Sequence, residues 1–197
     1  MTNLSNNRNN LNDEEIFNNI YKLSNIINTN LDEDSLAICY QLIKNGINPD
    51  ALIKFDKNDL QHIYEPSEDT FLFMDALELE KSFIKTLEPT IILEIGSGSG
   101  VLTTFLALNF DLDNTHFMAT DINPLACVKT SETIHLNYSQ LPLKVKRPKV
   151  SIFIDDLAQS IIDRLNYNID MIIFNPPYVP THDITDNGQS GDLGQVD

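Results

Sequence analysis

The string Leu93-Glu94-Ile95-Gly96-Ser97-Gly98-Ser99-Gly100 constrains this chain more than any other. It closes a short apolar run, Ile91 to Ile95, with glycines in alternation. Glycine reaches backbone conformations closed to other residues and lets main chain approach a ligand at the carboxyl edge of a parallel sheet. A plain strand–helix turn would use the same residues, so the loop needs support from its surroundings. Runs rich in Ile, Val and Phe recur at Phe117 to Thr120, Val150 to Ile154 and Met171 to Phe174. Helical stretches separate them, around Val101 to Leu108, Pro124 to Leu136 and Ala158 to Leu165. Strands alternating with helices predict a Rossmann-like α/β fold, a mainly parallel sheet covered on both faces.

The chemistry of the loop narrows the ligand. Gly-x-Gly-x-Gly differs from the Gly-x-Gly-x-x-Gly spacing of dinucleotide sites. Glu94 stands just before the loop, where it would repel a pyrophosphate and welcome an ammonium group. S-adenosylmethionine carries an ammonium group and no phosphate. Gly96 and Gly98 are therefore candidates for the cofactor cradle. Asp121 follows the second apolar run, where an acid accepts hydrogen bonds from ribose hydroxyls or, equally, caps the next helix. Asp155 and Asp156 end the third run in the same way; a carboxylate there can accept from an adenine amino group, with Leu157 against the ring.

The string Phe174-Asn175-Pro176-Pro177-Tyr178-Val179 follows the fourth run. Successive prolines stiffen a turn. The Asn175 side-chain carbonyl and the Pro176 main-chain carbonyl can accept both hydrogens of one planar amino or amide nitrogen, and Tyr178 offers a face for stacking. Accepting both hydrogens aims the nitrogen lone pair at a methyl donor, which is catalysis by positioning and electrostatics.

Together these residues resemble class I methyltransferases of the amino-methylating group, which share the Asn-Pro-Pro-Tyr string. Tyr64-Glu65-Pro66-Ser67-Glu68-Asp69-Thr70-Phe71-Leu72, followed by Asp75-Ala76-Leu77, makes residues from about 62 to 180 similar to the HemK-type glutamine methyltransferases of eukaryotes and archaea. The resemblance implies methylation of the glutamine in the Gly-Gly-Gln tripeptide of a translation release factor. It implies that Thr70, Glu94, Gly96, Asp121, Asp156, Leu157 and Asn175 bind S-adenosylmethionine. It also implies that Asn175, Pro176, Pro177, Tyr178 and Val179 hold the glutamine amide, the first four being the catalytic set. The implied partner is a small zinc-binding activator subunit, to which any zinc would belong; within this chain the scattered His62, His116, His135 and His182 form no ligand set, and no metal is expected. DNA adenine and protein lysine are the alternative acceptors for such a string. The family continues beyond Pro180 with further strands and helices, whereas Thr181 to Asp197 is polar. The expectation is a class I domain truncated at its C-terminus, marginally stable and turning over little.

The amino-terminal third has another character. Residues 1–12 are rich in asparagine and too polar to bury a core. Residues 13–60 read as a small three-helix module preceding the methyltransferase domain of residues 61–197. Asp13, Glu14 and Glu15 place negative charge in a first turn, and Ile16, Ile20, Leu23 and Ile27 recur at helical spacing. Asp32 caps a second helix with the apolar face Leu36, Cys39, Tyr40 and Ile43, stopped at Gly46; Asn48-Pro49 opens a third, through Leu52 and Phe55. So short a segment must fold against something else, either the following domain as a helical lid or another protein. Leu23 to Asp32, Ser35 to Cys39 and the string Gly46-Ile47-Asn48-Pro49-Asp50-Ala51-Leu52 resemble the MOZART family of mitotic-spindle organizing proteins. That resemblance, over about residues 13–55, implies binding to gamma-tubulin complex components.

Thirteen basic against 29 acidic residues, a formal charge of -16, disfavour broad attachment to nucleic acid or anionic membrane. The basic run Lys144, Lys146, Arg147 and Lys149, between Pro142 and Pro148, reads as a solvated loop. Cys39 and Cys127 lie outside any ligand or disulfide spacing, and Cys39 reads as a buried thiol. No run is long and apolar enough to span a membrane. The expected location is the cytoplasm, extending to the nucleus, and the microtubule-organizing centre or spindle pole for the helical module.

Overall fold

A computed structural model of the protein describes residues 12–29, 31–50, 63–165 and 168–176. Helix α1 spans Asp13–Ile27 and begins in a capping box: Glu15 N donates to Asn12 Oδ1 at 2.8 Å, and Asn12 N donates to Glu15 Oε2 at 3.2 Å. Helix α2, Glu33–Lys44, starts where the sequence places its cap, with Ser35 N donating to Asp32 Oδ1 at 2.7 Å. The two helices are tied by the ion pair of Lys44 with Asp13 and by Phe17 against Tyr40, ring centres 5.9 Å apart. The expected third helix through Leu52 and Phe55 lies outside the described residues.

The buried face of α2 differs from the expected one. Leu36 is buried as expected, but Ile43 is 61% exposed and its neighbour Leu42 is fully buried. Cys39 is half-buried, and burial raises its thiol above the usual range, with the charges of Asp50 and Glu65 adding to it. The reason is that α2 has two neighbours, so its apolar stripe cannot be read from one periodicity. One side meets α1. The other sends Leu42, and Ile47 just beyond the helix, into the core of the following domain beside Met74, Phe105, Leu106 and Phe110. Asn109 Nδ2 donates to Asn45 O at 3.2 Å and Asn48 N to Asn137 Oδ1 at 2.8 Å, which fastens the same junction.

Helices α3, Glu68–Leu79, and α4, Lys81–Thr86, lead into the sheet. Strand β1, Ile91–Ile95, is followed by α5, Val101–Asn109; β2, His116–Asp121, by α6, Pro124–Gln140; β3, Lys149–Ile154, by α7, Gln159–Leu165; and β4 is Met171–Phe174. Each expected strand is present, with a residue added at each end of β2 and one at the start of β3. The four strands are all parallel in the order β3-β2-β1-β4. Alternation along β1 places Ile92 in the core on one face and Leu93 among Met118, Ala158 and Ile161 on the other. Asp170 fixes the start of β4 against β1, accepting at Oδ2 from Thr90 N and Oγ1, both at 2.7 Å, and from Ile91 N at 3.0 Å.

Register decides where the site forms. Ile95 is paired with Thr120 on one side and with Phe174 on the other, and Asp121 with Ile154. The chain therefore leaves β1, β2, β3 and β4 at one level, and the crossovers diverge between β1 and β4. Ligands bind parallel sheets at such a switch point. The basic residues 144, 146, 147 and 149 are exposed, as expected of a solvated loop. Among the described residues, no helix is long and apolar enough to cross a membrane.

Candidate functional site

A cavity of about 590 Å³ opens at this level, a size suited to a small-molecule ligand. Thr70, Glu94, Gly96, Gly98, Asp121, Asp156, Leu157, Asn175 and Pro176 all line it. Residues separated by more than a hundred positions are thus gathered by strand register. Pro177, Tyr178 and Val179 lie outside the described residues.

At the end of β1, Glu94 is 3% exposed and turns toward α5, where Thr103 donates to its Oε2 from the main chain at 3.0 Å and from the hydroxyl. Burial outweighs those bonds, and the nearby Asp121 charge adds to it, so the carboxyl is pushed up to about 8. A cationic ligand group is the partner that would bring it back down.

The loop after Glu94 is held by β2 and α6. Gly96 N and Ser97 N both donate to Thr120 O, at 2.8 and 3.0 Å. Gly98, at φ +51°, has open space where a side chain would stand, and its N–H donates to Asp121 Oδ2 at 2.9 Å. From α6, Thr130 Oγ1 reaches Ser97 Oγ at 2.9 Å and donates to Gly98 O at 3.3 Å, while Thr133 Oγ1 donates to Ser99 O at 2.8 Å. Gly100 serves a different purpose from the other two glycines, since it is buried against the Thr130 backbone.

Asp121 is not the cap of the helix that follows it. The cap of α6 is Asn123, whose Oδ1 accepts from Leu125 N at 3.0 Å with Pro124 in the first turn. Asp121 instead braces the loop through Gly98 and accepts from Asn123 N at 2.9 Å. The paired acids after β3 also divide. Asp155 accepts from Ser160 N at 3.0 Å and Ser160 Oγ at 2.8 Å at the start of α7, and exposed Asp156 borders the cavity. Leu157 takes a left-handed conformation, φ +56°, and its carbonyl accepts from Thr120 Oγ1 at 2.5 Å. A non-glycine residue there costs about 1–2 kcal/mol.

Two features escape a reading of spacing. The threonines at 103, 130 and 133 look generic in sequence, and only the packing of α5 and α6 on the loop gives them a role. Asp69 adjoins the candidate Thr70 and has no spacing that marks it; its carboxylate Oδ2 accepts from Asn175 Nδ2 at 2.9 Å. Thr70 itself is buried in the first turn of α3.

This arrangement of glycine loop, strand-end acids and Asn175 coincides with a family match: residues 72–189 fit the methyltransferase small domain. The chain belongs to that family. Within it, "Methyltransferase HEMK2" of Homo sapiens is 41% identical over 119 residues, 60% of this chain and 50% of the human protein. The "eRF1 methyltransferase catalytic subunit mtq2" of Schizosaccharomyces pombe is 37% identical over 131 residues, 62% of this chain and 53% of that protein. The chain spans about half the length of the curated methyltransferases it matches. Outside the methyltransferase match, residues 14–55 fit a family described as mitotic-spindle organizing gamma-tubulin ring associated. There "Mitotic-spindle organizing protein 1" of Aspergillus clavatus is 47% identical over 38 residues, 19% of this chain and 54% of that protein. Both resemblances in the sequence therefore hold.

Proposed function

We propose that the methyltransferase part of this chain transfers a methyl group from S-adenosylmethionine to the side-chain amide nitrogen of a glutamine in a translation release factor. The observation that carries this reading is Asn175 at the carboxyl end of β4, on the same cavity as Glu94, Gly96 and Asp121. The 37% identity to a protein named an eRF1 methyltransferase supports the release factor as the substrate.

The residues present fit the cofactor. Gly96 and Gly98 leave room for close approach, Glu94 suits an ammonium group, Asp121 a ribose, and Asp156 with Leu157 an adenine. When bound, S-adenosylmethionine supplies an electrophilic methyl group on a sulfonium. The glutamine amide is a poor nucleophile because its lone pair is delocalised. Asn175 Oδ1 and the Pro176 carbonyl accept its two hydrogens and hold the lone pair in line, while burial in the cavity strengthens both bonds. A zinc-binding activator subunit is the proposed partner, on the strength of the sequence resemblance. The test is methyl transfer by the purified chain, with that subunit, to a release factor. Transfer to DNA adenine or to protein lysine, and none to the Gly-Gly-Gln glutamine, would overturn the substrate.

A second reading has its own observation. Leu23, Ile26, Ile27 and Ile43 are exposed on α1 and α2, Ile26 to 79%, although the opposite side of α2 is buried in the methyltransferase core. An apolar surface that the described residues leave exposed in this way supports docking of a protein. We assign it to a gamma-tubulin complex component. Calorimetric titration with the amino-terminal region of such a component tests this, and an absence of binding removes the reading.

A further inference from the structure

Asparagine carries two branches of nearly equal shape, of which one only accepts hydrogen bonds and the other only donates. A half-turn of the amide exchanges them at little steric cost. At position 175 that exchange would be fatal to the proposed reaction, because an amino group would then face the amino group of the substrate amide. Something must hold the amide one way round.

We propose that Asp69 is the positioning residue that fixes the orientation of the Asn175 amide and so presents its carbonyl to the substrate nitrogen. This rests on the reading of Asn175 as an acceptor for the glutamine amide. Asn175 Nδ2 donates to Asp69 Oδ2 at 2.9 Å across 106 positions of sequence. An ionised carboxylate accepts and never donates, so the reversed amide would set oxygen against oxygen. Asp69 is itself held. Ser67 Oγ donates to its Oδ1, Tyr64 OH donates to Oδ1 at 3.5 Å, and Tyr64 OH lies 3.0 Å from Ser67 Oγ. Burial works to raise the Asp69 carboxyl, but the hydrogen bonds from Ser67, from Asn175 and from the main-chain N–H groups of Thr70 and Asp69 together outweigh it and keep it below the usual carboxylate range. It therefore stays an acceptor at neutral pH. Asp69 also occupies the first turn of α3, where the helix dipole favours a negative charge. One helical turn thus carries both Thr70, on the cofactor cavity, and the group that orients Asn175.

The experiment compares the full chain with Asp69→Ala and Asp69→Asn, each together with the activator subunit, using a peptide that contains the Gly-Gly-Gln tripeptide as methyl acceptor. The Asn175 side-chain amide is followed by NMR on asparagine-labelled protein. Asp69→Ala should lower kcat about ten- to a hundredfold and move the Asn175 amide resonances to solvent-exposed values, with the S-adenosylmethionine Kd within about twofold of the parent. Asp69→Asn can pair with Asn175 in either orientation, so its kcat should fall about two- to tenfold with little change in KM. Unchanged resonances together with unchanged kcat in either variant would overturn the proposal. If Asp69→Ala does not fold, the isosteric Asp69→Asn decides the matter by the same two readouts. If the parent chain methylates no glutamine while the resonances move as expected, the substrate reading falls and the positioning role stands.

Discussion

A β-carbon added to Gly100 would stand 2.6 Å from the Thr130 Cα, so α6 lies against the glycine loop with no room for any side chain at position 100. The clash is with backbone, which cannot move aside as a flexible side chain can. Gly100 also has φ +77°, a conformation that adds strain for every other residue. Gly100→Ala is expected to destabilise the chain by about 2 kcal/mol or more, by overpacking and backbone strain together. Denaturant unfolding followed by circular dichroism checks it. An unaltered midpoint would mean that α6 and the loop are not in contact in solution.

The burial of Glu94 gives a pH dependence of definite sign. The unfolded carboxyl titrates near its ordinary value and the folded one near 8. Between those values the folded chain holds a proton that the unfolded chain has released, so stability falls as pH rises through that window. Below the lower value the effect vanishes. Ligand binding runs the other way. A cation beside Glu94 selects the ionised form, so S-adenosylmethionine affinity should rise by up to about tenfold per pH unit below pH 8. Binding should release a proton, and Glu94→Gln should flatten both profiles. Calorimetry in buffers of different ionisation enthalpy measures this, and equal proton release by parent and variant would refute it.

The helical module should divide into a stabilising side and a docking side. Leu42→Ala removes a fully buried side chain next to Met74 and Phe105 and is expected to cost about 2–5 kcal/mol, measured on the methyltransferase fold itself. Ile26→Asp alters an exposed residue and should change stability by no more than about 0.5 kcal/mol. It should nevertheless abolish binding of a gamma-tubulin complex component. Equal loss of stability in the two variants would contradict this division.

Asp121 should act on the cofactor and on the loop at once. Asp121→Ala takes away the acceptor of Gly98 N as well as the proposed acceptor of the ribose hydroxyls. Loss of a hydrogen bond to a charged group is worth about 1.5–3 kcal/mol, so S-adenosylmethionine should bind about ten- to a hundredfold more weakly. Calorimetric titration reads the change directly. Retained affinity would place the ribose elsewhere.

Strands and their covering helices were legible in sequence because apolar runs alternate with helical stretches; β1 and β2 are buried along their length, while β3 and β4 keep the apolar run although Ile154, Ile172 and Phe174 are exposed. Three of the acids that line the cavity were legible for a related reason: a parallel sheet presents its chemistry at strand ends, where Glu94, Asp121 and Asp156 stand. Sequence reading failed where a residue answers to two neighbours. Ile43 fits a single helical stripe, yet the stripe is set by both α1 and the α/β core, which choose Leu42. Asp121 and Asn123 are both good caps, and the hydrogen bond from Leu125 N to Asn123 Oδ1 assigns the cap to Asn123. Asp69 is invisible to spacing because its partner, Asn175, is remote in the chain and carries no periodic signal.

The position of β4 beside β1, with β2 and β3 formed in the intervening chain, bears on the order in which the molecule assembles. Pairing β4 with β1 closes a long loop, and the Asp170 contacts with Thr90 and Ile91 come only with that closure. Local contacts form sooner than remote ones because less chain entropy is lost in making them. The α1–α2 hairpin and the β1-α5-β2 unit are accordingly early structures, and the junction of Asn175 with Asp69 is among the last. A ligand that needs all four strand ends has nothing to bind in the folding transition state. Its stabilisation should therefore appear almost wholly as slower unfolding, leaving the rate of folding unchanged.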